Sequence, residues 1–144
     1  MRYPEIFGYG GALNTEVDGP SGFGLGMLYN WYTARSGIIA PLDFHVPTAA
    51  EWTAMLAVLT ATSGWSGKEG GKMKSILGDW ITPNPEGTNE SGFGAKAGGL
   101  RYNNGGFYAA RANAFFWEDE FSAIEDKWMR YLAWDSSLLK RIQI

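Results

Sequence analysis

His45-Val46-Pro47-Thr48-Ala49-Ala50-Glu51-Trp52 reads as the opening of a helix, and it carries both halves of a capping box. The Thr48 hydroxyl can accept from the amide of Glu51, and the Glu51 carboxylate can reach back to the amide of Thr48. Pro47, just outside, helps to set the entry. Trp52, Met55, Leu56 and Leu59 then follow at i, i+3, i+4 and i+7, a single apolar stripe suited to a core. The helix is expected to stop near Thr62 or Ser63, with Gly64 placed to cap it.

Working toward the carboxy terminus, a second and shorter helix is expected from Gly70 to Leu77, stopped by Gly78. Met73, Ile76 and Leu77 would share its buried face, with Lys72 and Lys74 pointing elsewhere. Trp80 to Glu90 holds Pro83, Pro85 and Gly87 and reads as an ordered loop. Strands are expected at Gly98–Tyr102 and Gly106–Ala110, joined by the hairpin signal Asn103-Asn104-Gly105. Phe115–Trp117 and Lys127–Trp134 are the last strand candidates, separated by an acidic loop from Glu118 to Asp126. On the amino-terminal side, residues 27–32 are aromatic and apolar and read as a buried first strand. Met1 to Gly26 is a Gly-rich lead-in, expected to be a flexible or turn-rich arm before a binding domain over residues 27–144. Its Gly22-Phe23-Gly24-Leu25-Gly26 has the wrong spacing for a dinucleotide fingerprint.

Several of these stretches form an ordered set: Leu28-Tyr29-Asn30-Trp31-Tyr32, His45 to Trp52, Gly70-Gly71-Lys72-Met73-Lys74, Thr88-Asn89-Glu90-Ser91-Gly92-Phe93 and Trp128-Met129-Arg130-Tyr131-Leu132. Each block alone is unspecific. As a set they resemble the Fibrobacter succinogenes major paralogous domain family, over roughly Gly26 to Leu132. That family looks like a branch of the formylglycine-generating-enzyme-like, C-type-lectin-like folds. The resemblance implies an α+β, C-type-lectin-like domain with two helices, a small twisted mainly antiparallel sheet and long ordered loops. It also implies a display scaffold for binding more than an enzyme. The chain departs from the family at its end, where Lys140-Arg141-Ile142-Gln143-Ile144 replaces the usual closing strand. Either Arg141 to Ile144 stands in for that strand, or the chain is truncated.

Composition bounds the functions available. A chain of 144 residues forms one domain and buries about 70% of the surface its unfolded form exposes. Seven Trp, seven Tyr and eight Phe accompany 20 glycines, a pairing that suggests irregular segments pinned by rings. Net charge is -3 and Lys and Arg do not cluster, which disfavours a nucleic-acid partner. There is no cysteine, so disulfides, thiolate zinc sites and cysteine nucleophiles are excluded, and with them formylglycine-type oxidation. The longest apolar run, Ala54 to Leu59, is too short for membrane insertion, and Met1 to Gly11 lacks the apolar core of a signal peptide. The chain either stays in the cell that makes it, leaves by another route such as a virion, or is a fragment whose leader is missing.

The candidate chemistry is sparse. His45 is the lone histidine, with Asp43 two residues before it, but no serine sits in an elbow motif to complete a triad. Its expected role is to bond to backbone at the helix start. A hydrolytic carboxylate pair can be drawn from Glu86, Glu90, Glu118, Asp119 or Glu120, as from any acidic loop. Trp117-Glu118-Asp119 loosely resembles the calcium-ligating triplet of C-type lectins, with Glu118 where Asn stands there. Calcium needs six to eight converging oxygens. A solvated loop is the plainer reading, and no catalytic residue, metal or cofactor is assigned. Asn89-Glu90-Ser91 fits a glycosylation sequon but is expected to buttress a turn.

Proteins related by the resemblance carry their variable positions in the carboxy-terminal region. Here that region interleaves rings with charges, a good composition for a binding surface. The candidate ligand-binding residues are Trp117, Glu118, Asp119, Phe121, Asp126, Trp128, Arg130, Trp134 and Asp135. The expected function is recognition of a cell-surface protein or glycan, at the tip of a phage tail fibre or in a bacterial surface adhesin. The setting is a virion or cell surface, with a trimeric fibre as one possible assembly. Alternatives are a calcium-dependent or hydrolytic glycan-acting domain and a structural decoration domain.

Overall fold

The computed structural model describes residues 8–9, 24–120 and 127–144. Described helices are α1 (Trp31–Arg35), α2 (Ala49–Ala61) and α3 (Glu69–Met73); described strands are β1 (Gly8–Tyr9), β2 (Leu28–Tyr29), β3 (Leu100–Arg101), β4 (Phe107–Tyr108), β5 (Asn113–Glu118), β6 (Trp128–Ala133) and β7 (Lys140–Gln143). The class is α+β, as expected, with three described helices where two were expected. All strand pairings are antiparallel: β1 with β2, β3 with β4, and the sheet β5-β6-β7.

That sheet is the centre of the molecule. Its two longer strands alternate, and both faces are covered. Ala114, Phe116, Leu132 and Trp134 go to a cluster that contains Trp52 and Leu59 of α2, Met73 of α3, Trp80 and Leu139. Trp117 and Met129, with Phe115 packed alongside, go to a second cluster with Trp31 and Ala34 of α1. A sheet buried on both faces explains why neither face of β6 is polar in the sequence. Trp31 and Trp117 meet with ring centroids 5.5 Å apart, and Trp117 Nε1 donates to the carbonyl of Tyr29 at 2.8 Å.

The capping box forms as read. Thr48 accepts from the Glu51 amide at 3.2 Å, and the Thr48 amide donates to Glu51 Oε2 at 2.8 Å. Trp52 and Leu59 are buried and Met55 and Leu56 pack against the same cluster. The helix ends at Ala61, with Thr62 as C-cap and Gly64 in the left-handed region two residues on.

Three expectations are corrected. Residues 27–32 are not a continuous strand: β2 stops at Tyr29, and Asn30 Oδ1 accepts from the Thr33 amide at 2.8 Å, capping α1. The second expected helix is shorter, ending at Met73, because Lys74 leaves it to bridge Ala95 in extended conformation. Ile76 and Leu77 are consequently 65% and 70% exposed instead of sharing its buried face. Lys72 and Lys74, expected only to point away from that face, are both buried. The strand β7 over Lys140–Gln143 overlaps Arg141–Ile144, the segment for which a stand-in closing strand was one of two readings.

Candidate functional site

The two clusters meet over the Glu118 end of β5, and a cleft of about 740 Å³ opens there. Phe116 and Trp117, adjacent on β5 and so facing opposite sides of the sheet, both line it. One wall is the first turns of α2, through Glu51, Trp52 and Met55; the other is the segment from Ile39 to Pro47. Phe93 closes a third side, set edge-on to Phe116 at 5.6 Å and 6.2 Å from Trp52. The segment opposite α2 turns through Asp43, at φ 68°, with the Phe44 amide donating to the carbonyl of Pro41 at 3.0 Å. This turn leaves Phe44 72% exposed at the cleft, and Ile38 and Leu42 nearby are 86% and 89% exposed. So much apolar surface in one short segment is the kind of feature that marks an interaction site.

Polar groups at the cleft are few. His45 Nε2 lies 2.7 and 2.8 Å from the two carboxylate oxygens of Glu51. The histidine therefore bonds to a side chain, not to backbone as the sequence suggested. The Thr48 amide hydrogen bond, then His45 and the Thr48 hydroxyl, pull the Glu51 pKa from 4.5 down to about 2, so the carboxylate is ionised at neutral pH. Trp52 Nε1 is buried without a hydrogen-bond partner among the described residues.

Of the described residues nominated for ligand binding, Trp117 alone lines the cleft, joined there by Asp43 and His45, the pair weighed as a catalytic base and its orienter. Glu118 is fully buried and accepts from Arg130 Nε at 2.7 Å and from Arg141, which also reaches Glu120. Arg130 and Arg141 sit directly opposite one another on β6 and β7, a repulsive pairing that the Glu118 carboxylate neutralises. Arg141 also stacks on Trp128, 3.8 Å from the ring centroid. These residues hold the sheet together. In the calcium-like triplet the Asp119 backbone bridges Thr48 and donates its amide to the carbonyl of Pro47 at 2.9 Å, while its buried Oδ1 has no hydrogen-bond partner among the described residues. Trp134 is half-buried against the larger cluster, and Asp135 is exposed. Phe121 and Asp126 lie outside the described residues. Sequence reasoning missed Phe44, Phe93 and Phe116 as a group, because they come together from three distant segments. The signal available was Phe44 itself, an aromatic residue in a Pro- and Asp-containing turn just before a helix.

The model of the Fibrobacter succinogenes major domain matches residues 9–143. The chain belongs to that family. No curated protein and no solved structure gives a significant match. In this Fibrobacter succinogenes major domain, most of the motif residues are scaffold. A side chain at Gly70 would strike the backbone of Leu138 and Leu139, and one at Gly71 would strike Glu86. Lys72 Nζ donates to Glu90 at 2.8 Å and Glu86 at 3.2 Å. Lys74 Nζ donates to the carbonyls of Ala133 at 2.7 Å and Ser136 at 2.8 Å, beneath the Trp80 ring. Burial pushes its pKa down to about 8, opposed by Asp135, so it remains largely protonated at neutral pH. Asn89 and Ser91 do buttress a turn: Asn89 Oδ1 accepts from the Gly94 amide at 2.7 Å, and Ser91 Oγ donates to the carbonyl of Lys72 at 2.8 Å. Glu86 and Glu90 are shifted to lower pKa, Glu86 by Lys68 and Lys72 and Glu90 chiefly by Lys72, which is the wrong direction for a general acid. Among the described residues no His, Asp and Glu group converges as a metal site, and no helix is long and apolar enough to cross a membrane.

Proposed function

We propose that this chain is a non-enzymatic recognition domain that binds its ligand in the aromatic cleft beside α2. One observation carries this reading: a cleft of small-ligand size is lined by Phe44, Trp52, Phe93, Phe116 and Trp117, and its rim holds apolar side chains that the described residues leave exposed. Of the carboxylates nominated for catalysis, Glu86, Glu90, Glu118 and Glu120 are committed to ion pairs that hold the scaffold. The small antiparallel sheet, flanking helices and long ordered loops are compatible with a C-type-lectin-like architecture. The setting we favour remains the tip of a phage tail fibre or a bacterial surface adhesin, facing a cell-surface protein or glycan. The proposed contact surface moves from the carboxy-terminal third to the cleft, with Trp117 common to both.

The test is whole-cell binding by the full chain and two variants. Phe44→Ala is expected to abolish saturable binding, and Asp135→Ala, on the exposed β6–β7 turn, to leave it intact. Loss with Asp135→Ala alone would return recognition to the carboxy-terminal third. Absence of saturable binding to any cell type would favour a spacer domain.

A further inference from the structure

Resting on the cleft as the recognition site, the character of its lining selects the ligand. Six rings line it: Tyr29, Phe44, Trp52, Phe93, Phe116 and Trp117. Besides Tyr29, the ionisable lining residues are two carboxylates, Asp43 and Glu51, and one histidine; none of the described residues that line it is Lys or Arg. Aromatic faces present negative charge to a ligand, and carboxylates add to that field. A neutral apolar ligand has no use for the carboxylates, and an anion is repelled by both features. A strongly hydrated ammonium loses too much solvation in so apolar a cleft. A cation whose charge is spread over methyl groups satisfies rings and carboxylates together.

We infer that the cleft binds a quaternary or methylated ammonium group, its methyls against the rings of Phe44, Trp52 and Trp117 and its charge toward Asp43 and Glu51. Glu51 suits this role because it stays ionised, being held by the Thr48 amide and His45. His45 and Thr48 fix the Glu51 carboxylate in position, and a ligand cation would share it with His45. Asp43, exposed in a strained left-handed turn, supplies a second negative charge with no structural role in the helix cap.

The experiment titrates the full chain with choline and with 3,3-dimethyl-1-butanol, which has the same shape and no charge, and follows both by saturation-transfer NMR and calorimetry. Choline is expected to bind saturably, and the neutral isostere about tenfold more weakly, equivalent to about 1.4 kcal/mol of cation–π and carboxylate attraction. Asp43→Asn, which leaves the Thr48 cap untouched, is expected to weaken choline several-fold and the isostere not at all. Binding to phosphatidylcholine vesicles and not phosphatidylglycerol vesicles would trace the group to a lipid. Choline binding without vesicle binding would trace it to a solute or a modified side chain, and both results support the assignment. Equal affinity for choline and the isostere would overturn the cationic ligand while leaving cleft recognition standing. No binding of either probe, together with cell binding unaffected by Phe44→Ala, would overturn both.

Discussion

Two irregular segments of this chain face the same problem and solve it in opposite ways. The stretch from Gly70 to Lys74 brings charge and backbone into the interior, and every element of it has a partner far away in sequence: Leu138, Glu86, Glu90, Ala133 and Ser136. The stretch from Ile38 to Phe44 does the reverse, leaving three large apolar side chains in solvent. Buried charges without partners are costly, so the first segment allows little variation. Exposed apolar groups impose no such constraint on the fold, so the second is free to follow a ligand. The motif Gly70 to Lys74 is of the first kind; the proposed site joins the second segment to residues of the other motifs, Tyr29, His45, Glu51, Trp52 and Phe93.

The comparison breaks most sharply at Glu118. Removing its carboxylate by Glu118→Ala strands Arg130, itself buried, and leaves Arg130 and Arg141 opposed across β6 and β7. A loss of about 3–5 kcal/mol is expected in chemical denaturation, with ligand affinity per folded molecule unchanged. A loss below about 1 kcal/mol, the range of exposed ion pairs, would mean that the triad is solvated and the sheet is held by packing alone. Gly71→Ala should follow at about 1–3 kcal/mol, because the added methyl meets the backbone of Glu86, which cannot swing aside as a side chain end would. An unchanged midpoint for Gly71→Ala would contradict the tight bracket.

What the sequence disclosed tracks the range of each interaction. The Thr48–Glu51 box spans three residues, so its two hydrogen bonds were legible without any tertiary information. The hairpin at Asn103-Asn104-Gly105 and the apolar runs of β5 and β6 are similarly local, and strands do lie there, although β3 and β4 are two residues each where five were expected. The α1 helix was missed because a five-residue helix shows no periodicity, and its aromatic residues suit a strand equally well. The burial of Lys72 and Lys74 was not legible, because lysine is rarely buried without partners. Their partners are 14 to 62 residues distant. The cleft was illegible for the same reason, being assembled from β5, α2, the Phe93 turn and the segment before α2.

A middle-sized effect belongs to the junction of the two regions, the start of α2. Thr48→Ala removes the acceptor for the Glu51 amide and should cost about 1 kcal/mol. Glu51 gives the same cap a pH signature. Its pKa is lower in the folded chain than the ordinary 4.5, so its contribution is present above that value and is lost as pH falls toward about 2. The gap in unfolding midpoint between the parent and Glu51→Gln is therefore expected to be full at pH 6 and to close between pH 4.5 and 2. A gap that persists at pH 2 would show that packing, not the carboxylate's hydrogen bonds, separates the two proteins.

The smallest expected effect on stability is the one on which the functional contrast depends. Phe44 is 72% exposed, lies outside both apolar clusters and caps no helix. Exposed positions of this kind usually shift stability by within about 0.5 kcal/mol. Yet removing an aromatic anchor from a binding site can cost 2 kcal/mol or more in affinity. Phe44→Ala should therefore unfold with the parent while its choline affinity falls at least tenfold, the reverse of Glu118→Ala. Two variants that each move one quantity and spare the other would separate scaffold from site. If Phe44→Ala instead lowers the unfolding midpoint as far as Gly71→Ala does, the ring is part of the packed structure in solution. The segment from Ile38 to Phe44 would then be scaffold of the same kind as Gly70 to Lys74.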